Sequence, residues 1–365
     1  MVLSVVLLSC AILPGCTPPE PIRIGFVAGT SGRVADLGIA GRDAVLLAVE
    51  LRNQAGGVAG RKVKLLIRDD EQNPEVAQRA ARELIDQGAV AIIGPMTSAM
   101  AVAMAPVANE AEIVLISPTA VTNELTGKDD YFFRVSSPTR EYVRKIALYQ
   151  RNMRGLRRVT AAYDLNNRAY TESWLDDFRA AFAEGGGEII QAVGFESGGD
   201  TAFLRIANDL LAPQPDGVVI VANSVDTAML CQQIRKLDTR LPIIGSEWGA
   251  TERLMELGGK AVEGLTVAQI FDRNNAAPRY QAFRQTYLER FRREPGFGGV
   301  AAFDAANVVL EALAKRSMER SLKETILALR RFDGLQHPVI FDDFGEARRD
   351  SVITVVRDGQ FVVVE

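Results

Sequence analysis

Residues 89–117 read AVAIIGPMTSAMAVAMAPVANEAEIVLIS, and their pattern decides the fold class. Ala89–Ile93 is a short, wholly apolar run of the kind that forms a strand buried on both faces. Gly94-Pro95-Met96-Thr97 breaks it, a helical pattern starts at Ser98, and a second apolar strand follows over Ile113–Ile116. A strand, a helix and a second strand of this spacing make a βαβ unit, which requires parallel strands and a covering helix.

The same alternation extends outward in both directions. On the N-terminal side lie a β-rich run at Ile22–Ala28, a helix over about Ile39–Gln54, a strand at Val63–Ile67 and a helix opened by Pro74. Val76, Ala80, Leu84 and Ile85 of that helix follow the i, i+3/i+4 rule. On the C-terminal side a second series begins near residue 140, with strands at Val159–Tyr163, Glu188–Val193, Gly217–Val221 and Pro242–Ile244. Its helices cover Tyr170–Glu184, Ala202–Leu211 and Asp226–Leu237, and the first places Trp174, Phe178 and Phe182 on one face as a core stripe. Helical patterns return at Pro278–Arg293 and Gly299–Arg316, and the chain ends in strand-like runs at Ser351–Val356 and Phe361–Val364. The expected fold class is α/β, with two doubly wound, Rossmann-like lobes and a cleft between them. Open α/β sheets bind ligands beyond the carboxyl ends of their strands, so the loops entering helices are where function belongs.

Composition narrows the function. The chain has 365 residues, 47% hydrophobic and 24% charged, enough for two ordinary domains. A formal net charge of −4 gives no basic face for nucleic acid. The one basic run, Arg151 to Arg158, reads as a solvated helix end. A single histidine, His337, and three cysteines, at 10, 16 and 231, cannot assemble a Ser-His-Asp set, an HExxH helix or a Cys/His metal cluster. Gly25 to Gly32 has neither the GxGxxG fingerprint nor the Lys-Ser/Thr of a P-loop. The adjacent acids Asp69-Asp70 and Asp342-Asp343 read as solvated loop charges. The sequence therefore points away from an enzyme and names no cofactor or metal.

The first sixteen residues, MVLSVVLLSCAILPGC, are apolar yet shorter than the roughly 20 residues of a spanning helix. They read as a secretion signal. Leu13-Pro14-Gly15-Cys16 resembles a bacterial lipobox, in which Cys16 is lipidated. The proline-rich stretch Thr17–Pro21 is then an extended tether. Cys231, left alone in a helical pattern, reads as a buried small apolar residue.

Two loops carry the positive signal. Gly94 to Ser98 leads from a buried strand to a helix start, with Ser98 expected at the N-cap, where free N–H groups and the helix dipole attract a carboxylate. Ser117 to Asn123 follows the neighbouring strand and adds hydroxyls and backbone groups beside it. For Ser98 alone, simple capping explains the residue equally well.

With these pieces in view, the chain resembles the leucine/isoleucine/valine-binding substrate-binding proteins of branched-chain amino-acid ABC importers, of the type I periplasmic binding fold. The resemblance rests on Gly29-Thr30-Ser31-Gly32, Gly56 to Val63, the Gly94-to-Ser98 loop, Leu115-Ile116-Ser117-Pro118, Glu124-Leu125-Thr126, Asn167 to Tyr170, and Gly245-Ser246-Glu247. It implies an N-lobe of 22–138 plus 271–340, a C-lobe of 139–270 plus 341–365, and a three-crossing hinge. It implies a monomeric, extracytoplasmic receptor that closes on an amino acid and delivers it to a membrane permease and ATPase. It further implies that Ser98, Thr119 and Ala120 hold the ligand carboxylate, that Tyr170 covers the ligand and that Glu247 holds its ammonium.

Departures qualify the ligand. Val121 stands where the family usually has a threonine, with Thr122 one place later. Leu37 replaces an aromatic, and Asn223 is polar where an aromatic is common. The cysteine pair found in some members near Gln72 and Thr97 is absent, and Trp248 beside Glu247 is either a new aromatic wall or a packed interface tryptophan, the two readings being equal on the sequence. Other small carboxylates or amides therefore stay open as ligands, as does use of the same fold as an extracytoplasmic sensor. Charge-assisted hydrogen bonds contribute about 1.5–3 kcal/mol each, so three or four supply the roughly 8 kcal/mol of micromolar binding.

Overall fold

The structure, a computed structural model, describes residues 19–365. The expected signal segment, Cys16 and the first part of the tether lie outside the described residues.

The first sheet is built from β1 (Ile22–Ala28), β2 (Val63–Asp69), β3 (Ala89–Ile93), β4 (Val114–Ser117) and β5 (Phe132–Arg134). All its pairings are parallel and the strand order is β2-β1-β3-β4-β5, the doubly wound arrangement that opens a crevice where the order reverses. Three helices connect its first four strands: α1 (Ala35–Gln54), α2 (Pro74–Asp86) and α3 (Ser98–Glu110). Local chemistry fixes where they begin. Asn73 caps α2, its side chain accepting from the N–H groups of Glu75 and Val76 at 2.9 and 3.2 Å, with Pro74 at the first helical position. α1 begins at Ala35, four residues before the expected Ile39, because the short turn Gly32–Val34 runs straight into it. Gly94 has φ +112°, and a Cβ there would lie 2.0 Å from the Val27 carbonyl oxygen. Only glycine lets the loop after β3 pass so close to β1.

After β5 the chain crosses to α4 (Thr139–Asn152) and then into the second sheet, through β6 (Arg158–Asp164), α5 (Arg168–Glu184), β7 (Glu188–Phe195), α6 (Phe203–Leu211), β8 (Gly217–Val221), α7 (Ser224–Leu237), β9 (Ile243–Gly245), α8 (Glu252–Gly258) and β10 (Thr266–Gln269). It returns to the first lobe for α9 (Pro278–Phe291), α10 (Gly296–Lys315), α11 (Leu322–Leu329) and the small β11–β12 pair (Arg331–Phe332, Val339–Ile340). A third crossing leads to β13 (Val352–Arg357) and β14 (Gln360–Val363), an antiparallel hairpin turned by Asp358 and Gly359, both at positive φ. The second sheet has the order β14-β13-β10-β9-β8-β6-β7, with β6 to β10 parallel. α10 is long and apolar enough to cross a membrane by composition, but most of it is enclosed in the core against α1.

Trp174, Phe178 and Phe182 stack at 5.2 Å intervals between ring centroids, all fully buried, as the stripe predicts. The basic stretch at 151–158 ends α4 and is largely exposed. α4 itself, with Tyr142, Val143, Ile146 and Ala147 on its buried face, goes unread in the sequence because its mean hydropathy is low. Asp70 corrects another reading. It is fully buried, takes hydrogen bonds from the backbone and side chain of Gln72 at 2.9 Å, and burial pushes its carboxyl up to about 6 against those bonds.

Two buried ion pairs pin the crossings. Arg134 at the end of β5 meets Glu346 at 2.7 Å, and Arg349 meets Asp304 of α10 at 2.7 Å. Cys231 is buried in α7, and burial pushes its thiol up to about 12. Thiol reagents at pH 8 should leave Cys231 unmodified in the native chain and label it on unfolding. Rapid labelling of Cys231 in the native protein, read by peptide mass mapping, would contradict this packing.

Candidate functional site

The loops at the carboxyl ends of the first sheet face those of the second, and two small adjoining cavities lie between them. Each offers only about 20 Å³ of free volume, room for about one water molecule, so the lobes stand nearly closed on each other here. Thr119, Glu247 and Phe297 line both, Val121, Ser136, Tyr142 and Gln269 the first, and Leu37, Ser98, Asn167, Tyr170 and Trp248 the second.

From the first lobe, Thr97 rather than Ser98 is the N-cap of α3, and Ser98 is its first helical residue. The reason is a competing bond: the Ser98 hydroxyl accepts from the Val121 N–H at 3.1 Å and so ties the α3 start to the loop after β4. Thr97 donates its hydroxyl to Gln72 Oε1 at 3.0 Å, a side-chain link between the α3 start and the loop after β2. Thr119 donates to the Met96 carbonyl at 2.5 Å, and the Ala120 N–H donates to the Ser117 hydroxyl at 2.9 Å. The two loops thus brace each other, which holds the cleft-facing surface of the helix start in a fixed shape. The Ala99 N–H, one of the free donors of α3, is answered from the other lobe by Asn167 Oδ1 at 3.0 Å.

From the second lobe, the centre is Glu247. The Tyr142 hydroxyl donates to its Oε1 in a very short hydrogen bond, and the Trp174 indole N–H donates to its Oε2 at 3.2 Å. Trp174 is therefore a core residue with a polar edge turned to the site. The Tyr170 and Ser246 hydroxyls lie beside this carboxylate, buried and without a well-aligned hydrogen bond. Trp248 packs edge-to-face on Tyr170, ring centroids 5.6 Å apart. Glu247 keeps some accessible surface where it lines the cavities, yet protein surrounds it on all sides. Burial pushes its carboxyl up to about 7, against the hydrogen bonds from Tyr142 and Trp174. Burial likewise holds the Tyr142 and Tyr170 phenols well above 10, so both remain donors.

Of the residues singled out in the sequence, Ser98, Thr119, Tyr170, Glu247 and Trp248 come together around one cavity. Ala120 and Thr122 do not line it. Ala120 is buried behind the loop, and Thr122 caps the turn Asn123–Leu125 with its hydroxyl 3.2 Å from that of Ser173. Asn223 is also elsewhere, as the N-cap of α7, its amide donating to Asp226 and Ser197. Tyr142, Ser136, Phe297 and Gln269 are among the lining residues that the sequence reading missed. Tyr142 left one faint signal, its i, i+4 spacing to Ile146 on the face that an otherwise polar α4 buries; Phe297 and Gln269 are placed by tertiary packing. The arrangement can do one thing well: hold a small molecule between a hydrogen-bonding helix start on one side and a buried acid among aromatics on the other. Among the described residues no cluster of metal-ligating side chains occurs.

Comparison with known proteins agrees with this geometry. A periplasmic binding protein family model matches residues 21–360. A Leu/Ile/Val-binding protein homologue from Brucella melitensis is 28% identical over 262 residues, 70% of each chain. A crystal structure of a leucine-binding protein from Thermotoga maritima superposes with a TM-score of 0.87 at 25% identity, covering 94% of this chain and 98% of that one. A solute-binding protein of an ABC transporter from R. palustris, solved with benzoate, superposes with a TM-score of 0.84 at 20% identity, covering 94% and 95%.

Proposed function

The chain belongs to the periplasmic binding protein family, extracytoplasmic solute-binding proteins, and from that premise we propose that it captures an α-amino acid of the branched-chain or a related type for an ABC importer. The observation that carries the reading is Glu247, an acid buried in the cleft wall opposite the start of α3. A carboxylate burdened by burial gains most from a cationic ligand group, and a helix start gains most from an anionic one. A zwitterion of amino-acid length supplies both charges at once. Tyr170, Trp248, Leu37 and Phe297 leave apolar surface for a side chain. The named relatives, whose printed names give leucine, isoleucine and valine as ligands, support the same class.

On this reading Ser98, Thr119 and the loop backbone meet the ligand carboxylate and Glu247 its ammonium. The lobes are 22–138 plus 271–340 and 139–270 plus 341–365, and they close as a hinge. The receptor acts as a monomer beside its permease, tethered by a lipid on Cys16. It does no bond chemistry.

A thermal-shift screen of the chain from Thr17 onward, against the amino acids and a set of benzoates, tests this. Leucine, isoleucine or valine should raise the melting temperature in a concentration-dependent way, since binding at a hundredfold excess over Kd adds about 2.7 kcal/mol to native stability. Stabilisation by benzoates and by no amino acid would replace the reading with the second one, an aromatic-acid receptor. The aromatic lining and the benzoate-bound structural neighbour favour that alternative. In that case Glu247 would stay protonated and donate a hydrogen bond.

A further inference from the structure

Away from the ligand cavities, at the rim where the first lobe meets the second, Arg33 reaches from the turn before α1 into a socket on the opposite lobe. One guanidinium nitrogen lies 2.6 Å from Asp226 Oδ1 and another donates to the Gly198 carbonyl in a very short bond. The Phe203 ring completes the socket, with its centroid 5.9 Å from the guanidinium carbon. Asp226 is fully buried in the first turn of α7 and is held in place by the Asn223 amide at 2.8 Å. Among the described residues its one cationic partner is Arg33, from the other lobe.

One helical turn on, Asp36 docks on the same face. Its Oδ2 accepts from the Ser224 hydroxyl at 2.7 Å and the Thr251 hydroxyl at 2.5 Å, at the starts of α7 and α8. Neither Arg33 nor Asp36 lines the cavities around Glu247. Separating the lobes would strip the buried Asp226 of its cation and return two hydroxyls and a carboxylate to water. Asn223, read from the sequence as a ligand contact, is the residue that keeps the socket in shape.

We propose that Arg33 and Asp36 form a latch that holds the two lobes closed through contacts in which the ligand takes no part, so that they set affinity for every ligand alike and leave selectivity unchanged. They are positioning residues. A latch of this kind shifts the open–closed balance, and apparent affinity follows the fraction of chain in the closed form. The affinity consequence rests on the solute-binding reading; the closure itself does not.

The test therefore begins without ligand. Small-angle scattering of the wild-type chain and of the Arg33→Ala/Asp36→Ala variant should show a rise of roughly 1 Å in a radius of gyration near 20 Å for a folded chain of this length. Equal radii would overturn the latch. A second arm measures L-leucine binding by calorimetry in Arg33→Ala, Asp226→Asn and the two combined. Each single change should weaken leucine by about tenfold, the range of one charge-assisted hydrogen bond, and the combination no further than either, because both remove one pairing. Additive losses, or an altered ratio between leucine and a second ligand that the wild type binds, would also overturn it. Failure of leucine to bind the wild type would count against the ligand reading and leave the scattering result decisive. If circular dichroism shows Arg33→Ala to be misfolded, Arg33→Gln supplies the same comparison.

Discussion

Glu247→Gln is expected to weaken an amino-acid ligand by more than tenfold while making the ligand-free chain more stable at pH 8. The two effects have opposite signs because one group causes both. Burial carries the Glu247 carboxyl from its ordinary 4.5 to about 7. The unfolded chain ionises this group near 4.5, whereas the folded chain keeps it protonated up to about 7. The stability that proton confers is fully present below pH 4.5 and is lost as pH rises through 7. Above that, the buried anion costs the fold about 3 kcal/mol. Glutamine carries no charge, and with its amide oxygen accepting from the Trp174 indole N–H its amide N–H can donate to the Tyr142 hydroxyl. Its stability advantage should therefore vanish at pH 4 and reach its full size at pH 8, as read by urea unfolding.

Binding tests the same assignment from the other side. An ammonium requires ionised Glu247, so wild-type affinity should fall by up to tenfold for each pH unit below 7, with a proton released on binding. The glutamine variant should show weak affinity with a flat pH profile over the same range. Calorimetry at pH 5.5 and 8 distinguishes the cases. Undiminished affinity in Glu247→Gln at pH 8 would remove the ammonium role from this residue.

Asp304→Ala should be the most destabilising single change, at about 3–5 kcal/mol. Asp304 is fully buried in α10, where it pairs with Arg349 at 2.7 Å and accepts from the Leu335 N–H at 2.9 Å. Burial raises its carboxyl and Arg349 draws it back down. Removing the acid leaves a guanidinium, itself almost wholly enclosed, without a counter-charge, and its Nε already has no partner. Asp304→Ala combined with Arg349→Met should recover much of the loss, because the pair then leaves as a unit. Denaturant unfolding of the two singles and the double measures this. A loss below 1 kcal/mol in Asp304→Ala, or additive losses in the double, would show that the pair does not hold the third crossing to α10.

The two halves of the site differ in how far they were legible. Ser98, Thr119, Tyr170, Glu247 and Trp248 all follow strands in the alternating pattern, and the doubly wound topology brings such loops to one crevice wherever the strands are parallel. Asn223 follows a strand too, yet its side chain is spent on Asp226, which the topology alone does not reveal. Tyr142 belongs to a helix whose polar composition hid it, and it reaches Glu247 only because α4 packs beside α5.

The sequence by itself determined the α/β class, most of the alternating strands and helices, the Pro74 start of α2 and the aromatic stripe of α5. Each of these depends on neighbours within a few residues: apolar period, breaker residues and capping side chains. The tertiary structure alone decided the fate of the charges. Asp70 reads as a solvated acid in the chain and is enclosed in the fold; Asp226 and Asp304, which nothing in the chain singles out, are enclosed as well, and Arg33 finds its partner 193 residues away. A charge carries no periodic mark of its surroundings. Its solvation depends on what the rest of the chain brings against it, and here that is set by the meeting of two lobes.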